Sequence, residues 1–260
     1  MTTVFESVSA WRLQRRKQTQ ARQTLGFVPT MGALHAGHLS LVQRSRAEND
    51  LTLVSIFVNP TQFDDRTDLA NYPRVLEADL AALRTAGADF VIVPGDGDLY
   101  ADRYRYRVTE TEVSATLEGA QRPGHFDGVL TVVLKLLHLA GAERAYFGEK
   151  DWQQLVLVRG MVDAFFVPTE IVACPTVREA DGLALSSRNR RLPPADRALA
   201  PRFHAVLASA RTAEAARREL QAAGFGVDYV EDRDGRRLGA VRLGGVRLID
   251  NVVLGGATCS

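Results

Sequence analysis

An excess of either charge is missing from this chain. Lys and Arg total 32 against 31 Asp and Glu in 260 residues, a formal net charge of +1. That balance supplies no broad basic field for a nucleic-acid backbone, so an anionic ligand has to be held by local groups. Cysteine is nearly absent. The two thiols, Cys174 and Cys259, make neither a metal motif nor a disulfide framework, which fits a reducing compartment. Long apolar runs are lacking: neither the opening MTTVFESVSAWRLQRRKQ nor any later stretch has the length of a signal peptide or a membrane span. The expectation is a cytoplasmic protein with no membrane partner. No GxGxxG follows the first strand-like run, which argues against a dehydrogenase-type site. Repeats and low-complexity tracts are missing as well. What remains, with 46% hydrophobic and 24% charged residues, is an ordinary globular composition, long enough for one large α/β domain and a small appendage.

Apolar runs and helical patterns alternate along the chain. Residues 25–29 form a short apolar run closed by Pro29 and Gly32, 39–47 has helical spacing, and 51–58 (LTLVSIFV) reads as a buried strand ended by Asn59-Pro60. A helix is predicted over 69–86 and a strand over 90–93, stopped by Pro94-Gly95. Residues 129–139 read as a buried helix, 144–147 as a strand, 152–165 as a helix and 170–173 as a strand before Cys174-Pro175. Such alternation predicts a parallel sheet covered on both faces, with ligands beyond the carboxyl ends of its strands. The turns 29–38, 59–63 and 148–151 would then share one sheet edge. The texture changes at Leu192-Pro193-Pro194. An Ala- and Arg-rich helical stretch, 196–223, precedes two strand-like runs, 227–231 and 246–253, separated by Gly-rich turns. The expected organisation is a first domain over 1–190 and a small second domain over 191–260, serving as a lid or an oligomer contact.

Three segments carry chemistry. In Pro29-Thr30-Met31-Gly32-Ala33-Leu34-His35-Ala36-Gly37-His38, two histidines three apart stand where a strand gives way to a helix, so both rings can face one side. A helix N-terminus suits phosphate, and Gly32 and Gly37 permit close backbone approach to a ligand. Imidazole N–H groups can donate to phosphate oxygens as charge builds during attack. The plainer alternatives are two polar residues at a turn, or a metal site, for which no third ligand stands at a suitable spacing. In Gly148-Glu149-Lys150-Asp151-Trp152, Lys150 is either a point charge for a triphosphate or a solvated surface lysine. Asp151 either bonds ribose hydroxyls or caps the helix that follows. In Leu185-Ser186-Ser187-Arg188, two hydroxyls and a guanidinium can wrap a phosphate, or a serine caps a helix. Asn59-Pro60-Thr61-Gln62-Phe63 adds amide side chains suited to a substrate bearing hydroxyls and a carboxylate, and the Gly-rich loop 118–128 can line the same pocket. Turn formation alone also explains both.

Taken in order, PTMGALHAGHLSLV, SIFVNPTQF, NYPR, LEGAQRPGHFDGVLTVVLKL, YFGEKDWQQLVLV and VREADGLALSSRN resemble the signature segments of the pantothenate synthetase (pantoate–β-alanine ligase) family. LGGVRLIDN resembles its closing segment. No single motif decides this; their number and fixed order do. The resemblance implies an α/β fold: a Rossmann-like nucleotidyltransferase domain with a parallel sheet, plus a small C-terminal α+β domain, in a homodimer. It implies two half-reactions. Pantoate attacks the α-phosphorus of ATP, accompanied by Mg²⁺, and expels pyrophosphate; β-alanine then attacks the pantoyl adenylate and releases AMP. No tightly bound organic cofactor is implied.

Residue by residue, the resemblance puts His35, His38, Lys150 and Arg188 in catalytic positions, with a proton-donor role at His38. It lays Met31, Gly32, Ala33, Leu34, His35, Ala36, Gly37 and His38 along the nucleotide. Gly148, Glu149, Lys150 and Asp151 match an ATP-binding turn, Val177 a backbone contact to adenine, and Leu185, Ser186, Ser187 and Arg188 a mobile phosphate-binding loop. Gln62 and Gln154 match pantoate-holding positions, Gln62 also bordering β-alanine; Asn59 and Tyr72 are pocket walls. No protein ligand to the metal is assigned. Where some members carry adjacent acids after YPR, this chain reads Glu77-Ala78-Asp79, which leaves Mg²⁺ to ATP and water. The C-terminal part reads short, with Tyr229-Val230-Glu231 followed quickly by Gly235.

The nearest rival is another HxGH nucleotidyltransferase acting on a phosphorylated or pyridine acceptor. Gln62 and Gln154 favour a small polar carboxylate instead. A non-catalytic nucleotide-binding protein is disfavoured because His35, His38, Lys150 and Arg188 are all present.

Overall fold

Strand β2 (Leu25–Thr30) sits at the centre of the fold because both its faces are apolar: Leu25, Phe27 and Val28 are no more than 1% exposed. Around it assemble β1 (Thr3–Phe5), β3 (Leu51–Ile56), β4 (Phe90–Ile92), β5 (Arg144–Gly148) and β6 (Glu170–Cys174), in the order β1-β4-β3-β2-β5-β6. Every pairing is parallel. The computed structural model describes residues 1–64 and 66–255; Cys259 lies outside them. The chain divides into two compact units, Met1–Glu149 with Gln153–Cys174, and Lys150–Trp152 with the chain from Pro175 onward.

In the first unit, α2 (Ala36–Glu48) and α4 (Leu76–Ala86) cover one face of the sheet, where Leu41, Val42, Leu80 and Leu83 pack on Val28, Val54, Val91 and Tyr146. Against the sheet edge Trp11 of α1 (Val8–Gln20) packs on Phe5 and Phe90, and its indole N–H donates to Leu139 O of α7 (His125–Ala140) at 2.8 Å. Cys174 is buried in the α2 side of the core, and burial pushes its thiol pKa up. Between these lie the short helices α3 (Arg66–Ala70), α5 (Asp96–Leu99) and α6 (Leu117–Gln121), and α8 (Trp152–Ala164) follows β5. The helix expected over 69–86 is thus two helices. Pro73 separates them, because proline disfavours helical backbone at the preceding residue and cannot donate.

The chain leaves β2 for β3 and β4 on one side and returns to β5 and β6 on the other, so strand order reverses between β2 and β5. Odd residues of β2 face β5: Leu25 O accepts from Glu143 N. Even residues face β3: Thr30 O accepts from Phe57 N. Pro29 therefore stands on the β5 side, where it has no N–H to offer. The β2–β5 register accordingly ends at Phe27↔Ala145. A crevice beyond the carboxyl ends of two such diverging strands is where open α/β sheets bind ligands.

The second unit holds α9 (Pro194–Leu199), α10 (Pro201–Ser209) and α11 (Ala213–Ala222) against an antiparallel sheet of β7 (Gly226–Arg233), β8 (Arg236–Leu243) and β9 (Val246–Val253). Pro201 and the break before Thr212 cut the expected 196–223 helix into three. Strand β8 was hidden by its four charged and glycine residues, Arg236, Arg237, Gly239 and Arg242, between the two apolar runs that read as strands. Leu183 and Leu192 belong to this unit's core with Phe203, Leu207 and Leu248, so the compact units part after Cys174, ahead of the change of texture at Leu192-Pro193-Pro194. Among the described residues no helix is long and apolar enough to cross a membrane.

Candidate active site

The His-x-Gly-His segment folds as a helix cap at the carboxyl end of β2. His35, with extended backbone, is the N-cap of α2, and its Nδ1 accepts from Gly37 N at 3.2 Å. His38 Nδ1 accepts in turn from His35 N at 3.3 Å. The two rings stack with centroids 4.1 Å apart. With both Nδ1 atoms accepting, each neutral imidazole carries its proton on Nε2. The reciprocal cap thus makes Nε2 the donor atom of each ring, fixed in direction by the helix start.

The preceding turn is closed by acceptors from within the protein. Gly32 N donates to Thr30 Oγ1 at 3.2 Å, Ala33 N to Asp79 Oδ2 at 2.9 Å and Leu34 N to Asp79 Oδ1 at 2.8 Å. Gly32 has φ +77°, and a Cβ there would lie 2.8 Å from Asp79 Oδ2. The close approach that the sequence suggested for a ligand at Gly32 is therefore made by Asp79. The amides of Ala33, Leu34, His35 and Gly37 all have acceptors in the fold, which leaves anion recognition here to side chains more than to backbone. Met31 is half-buried, and its sulfur accepts from Gln62 Nε2 at 3.2 Å. Ala36 and Gly37 form the first turn of α2.

Gln62 lies in a 3-10 turn, Pro60–Gln62, that follows β3. Its Oε1 accepts from Asn59 Nδ2 at 2.9 Å. Buried Asn59, 1% exposed, also donates to Gly128 O and accepts from Tyr100 Oη at 2.7 Å. Burial pushes the Tyr100 phenol up to about 12, so it serves as a donor throughout the physiological range. The Gln62 carbonyl accepts from His125 Nδ1 at 2.8 Å and from Arg122 Nη2 at 3.3 Å, and Arg122 is paired with Asp64 at 2.8 Å. Tyr72 packs edge-on against Phe63 at 5.7 Å. The structure separates the two glutamines of α8. Buried Gln153 bonds Glu118 N, Val113 O and Thr116 O, whereas Gln154 is half-buried at the next position. Gly148 ends β5 and Glu149 opens the 3-10 turn Glu149–Asp151.

In the second unit, Lys150 and Asp151 lie 3.6 Å apart in that turn, and Asn251 Nδ2 donates to Lys150 O at 3.1 Å. Arg236 stacks over Trp152 at 3.8 Å. Val177 O accepts from Leu185 N at 3.0 Å. Ser186 caps the 3-10 turn Ser187–Arg191, its Oγ accepting from Arg188 N at 3.2 Å, so the capping role considered for it is real and places Ser187 and Arg188 in the first turn. Arg178 braces this segment by a bidentate pair to buried Asp250, at 2.6 and 2.9 Å. Burial works to raise the Asp250 carboxyl, but His204 and then the Arg178 guanidinium hold it below its usual range. Lys150, Ser186, Arg188 and Arg247 line a shallow, solvent-open cleft with Asp250 at its wall. Sequence reasoning gave Tyr100 no role, and reached Asp79, His125, Asp250 and Arg247 only as members of longer segments. Each acts through a partner far away in the chain, which no local spacing reveals. Among the described residues, no group of three or more His, Cys, Asp and Glu could hold a metal ion.

A parallel sheet that reverses its order at β2 and β5, with a His-x-Gly-His cap at that reversal, defines a Rossmann-like α/β protein of the nucleotidyltransferase type, here with a small α+β unit appended. Comparison with known proteins narrows the class. The model of the pantoate-beta-alanine ligase family matches residues 3–253. A pantothenate synthetase of Bdellovibrio bacteriovorus is 53% identical over 97% of this chain and 99% of its own length, and one of Coxiella burnetii is 50% identical over 97% of each. The crystal structure of a pantoate-beta-alanine ligase from Francisella tularensis, complexed with beta-gamma ATP and beta-alanine, superposes with a TM-score of 0.92 at 39% identity, covering 97% of this chain and 98% of that one. The Thermus thermophilus pantothenate synthetase gives a TM-score of 0.88 at 42% identity, covering 96% and 98%. The chain belongs to the pantoate–β-alanine ligase family.

Proposed function

We infer that this protein is an ATP-dependent ligase that condenses (R)-pantoate with β-alanine to give pantothenate, AMP and pyrophosphate. The observation that carries the reading is the His35–His38 cap at the strand-order reversal, in a chain matched to this ligase family almost end to end. In the first half-reaction a pantoate carboxylate oxygen bonds to the α-phosphorus while the bond to the bridging oxygen breaks, and its electron pair leaves with pyrophosphate. In the second, the β-alanine amine attacks the acyl carbon, the bond to AMP breaks, and the amine loses a proton. No covalent enzyme intermediate is needed, so positioning and electrostatics supply the catalysis.

The roles follow from chemistry. His35 and His38 donate through Nε2 to phosphate oxygens as charge moves toward pyrophosphate, with His38 at the proton-donor position. Lys150, Ser186, Ser187 and Arg188 offer a compact cationic and hydroxyl set for phosphates, and the Val177 backbone suits adenine. Gln62 and Gln154 offer amides to pantoate, Gln62 also to β-alanine, with Asn59 and Tyr72 as walls. Mg²⁺ enters as part of the nucleotide, with phosphate and water as its main ligands. A homodimer and a cytoplasmic location complete the reading. Exchange of labelled pyrophosphate into ATP tests it: the exchange is expected to require pantoate and to ignore phosphorylated or pyridine acceptors. Exchange driven by such an acceptor, and not by pantoate, would overturn it.

A further inference from the structure

Gly32 and Ala33 both have positive φ, +77° and +52°, the second in a conformation that residues with a side chain rarely adopt. In this turn the amides of Ala33 and Leu34 converge on one point, as successive backbone N–H groups of a turn do when they bind an anion. The occupant of that point is the carboxylate of Asp79, with one oxygen on each amide at 2.9 and 2.8 Å. Asp79 is 3% exposed and stands in the first turn of α4, where the helix end favours negative charge. Leu34 immediately precedes the His35 cap. The hydrogen bonds therefore run from Asp79 to Leu34, and from the next residue's amide to His38 Nδ1. Glu77, the other acid in this turn, is exposed.

We propose that Asp79 is a positioning residue of the adenylation site, holding the strained 32–34 turn through two backbone amides so that His35 and His38 face the nucleotide, and that it is not a metal ligand. The proposal rests on the ligase reading given above. Replacing the carboxylate by an amide keeps its shape but sets an NH₂ against one of the two donors.

The test compares wild type, Asp79→Asn, His38→Ala and the double variant in pantoate-dependent pyrophosphate release. Asp79→Asn is expected to lose about 100-fold in kcat, the scale of a misplaced catalytic group. The Mg²⁺ concentration for half-maximal rate is expected to stay within about twofold, and the double variant to be no more than about threefold slower than His38→Ala, because groups acting as one unit are not additive. Rescue by raised Mg²⁺ would make Asp79 a metal ligand and overturn the proposal; so would additive losses, which mark an independent structural role. Should Asp79→Asn not fold, Gly32→Ala substitutes, since its Cβ would lie 2.8 Å from Asp79 Oδ2 and must displace it. A wild-type rate in that variant would contradict the proposal. Amide hydrogen exchange reads the turn without any activity. Ala33 and Leu34 are expected to exchange at least about tenfold faster when Asp79 is replaced, with core amides unchanged. Equal exchange would overturn the positioning role even if the wild type proved to catalyse another reaction, and absence of pyrophosphate release with slowed exchange in wild type would fail the ligase reading alone.

Discussion

His125 shows how a single side chain ties acid stability to the 60–62 turn. Its Nδ1 donates to Gln62 O at 2.8 Å, and its Nε2 stands 3.3 Å from Arg122 Nη1, where a neutral ring accepts and a protonated ring would oppose a guanidinium. Burial first, and the Arg122 charge second, lower its pKa from 6.5 to about 4. The unfolded chain therefore binds this proton more readily than the native one. The contribution is fully present above pH 6.5 and is lost as the pH falls through about 4. Urea unfolding at pH 7 and near pH 4.5 checks the sign. Wild type is expected to lose about 2 kcal/mol more than His125→Asn, which keeps a donor for the Gln62 carbonyl and has nothing to protonate. Equal losses would show that the imidazole is not held neutral. At this scale the sequence was informative where chemistry is local. Two histidines three apart at a strand end made the strand-to-helix turn and its paired rings readable, whereas Asp79 meets Ala33 across 46 positions and could be read only as a departure from a metal-binding pattern.

At the scale of elements, the fold rests on close approaches that a residue type alone does not announce. Helix α7 packs against the 60–62 turn because Gly128 has no side chain: a Cβ there would lie 2.3 Å from Thr61 O and 2.7 Å from Gln62 Cα. Gly128→Ala must push that turn away, so a loss of about 1–3 kcal/mol in stability is expected. A raised pantoate requirement with ATP dependence little changed should accompany it, measured by steady-state kinetics at saturating ATP. Unchanged pantoate dependence would mean that the 60–62 turn does not hold that substrate. The alternation of strands and helices from β2 to β6 was legible, because buried parallel strands are short uninterrupted apolar runs bounded by turn residues. The split of the 69–86 helix at Pro73, and the strand β8, were not. In the first case helical spacing continues across a proline; in the second Arg236, Arg237 and Arg242 break the apolar pattern, although Arg237 is itself buried on Asp232 at 2.7 Å.

For the whole molecule, the near-neutral charge and the absence of a broad basic field shift the work of binding nucleotide to a few placed groups. Within the first unit an imidazole pair stands at the reversal of strand order. Within the second, Lys150, Ser186 and Arg188 line one cleft. The parting of the compact units after Cys174 was less legible than the chemistry, because Leu183 and Leu192 reveal which core they join only once that core is folded. The most direct measurement is release of AMP and pyrophosphate from ATP-Mg²⁺ with pantoate, with and without β-alanine. The account predicts pyrophosphate at about one equivalent per site with pantoate alone, and sustained AMP turnover once β-alanine is added, a limit set by one adenylate held per site. AMP turnover at the same rate without β-alanine, or no pyrophosphate from folded protein supplied with both substrates, would contradict it.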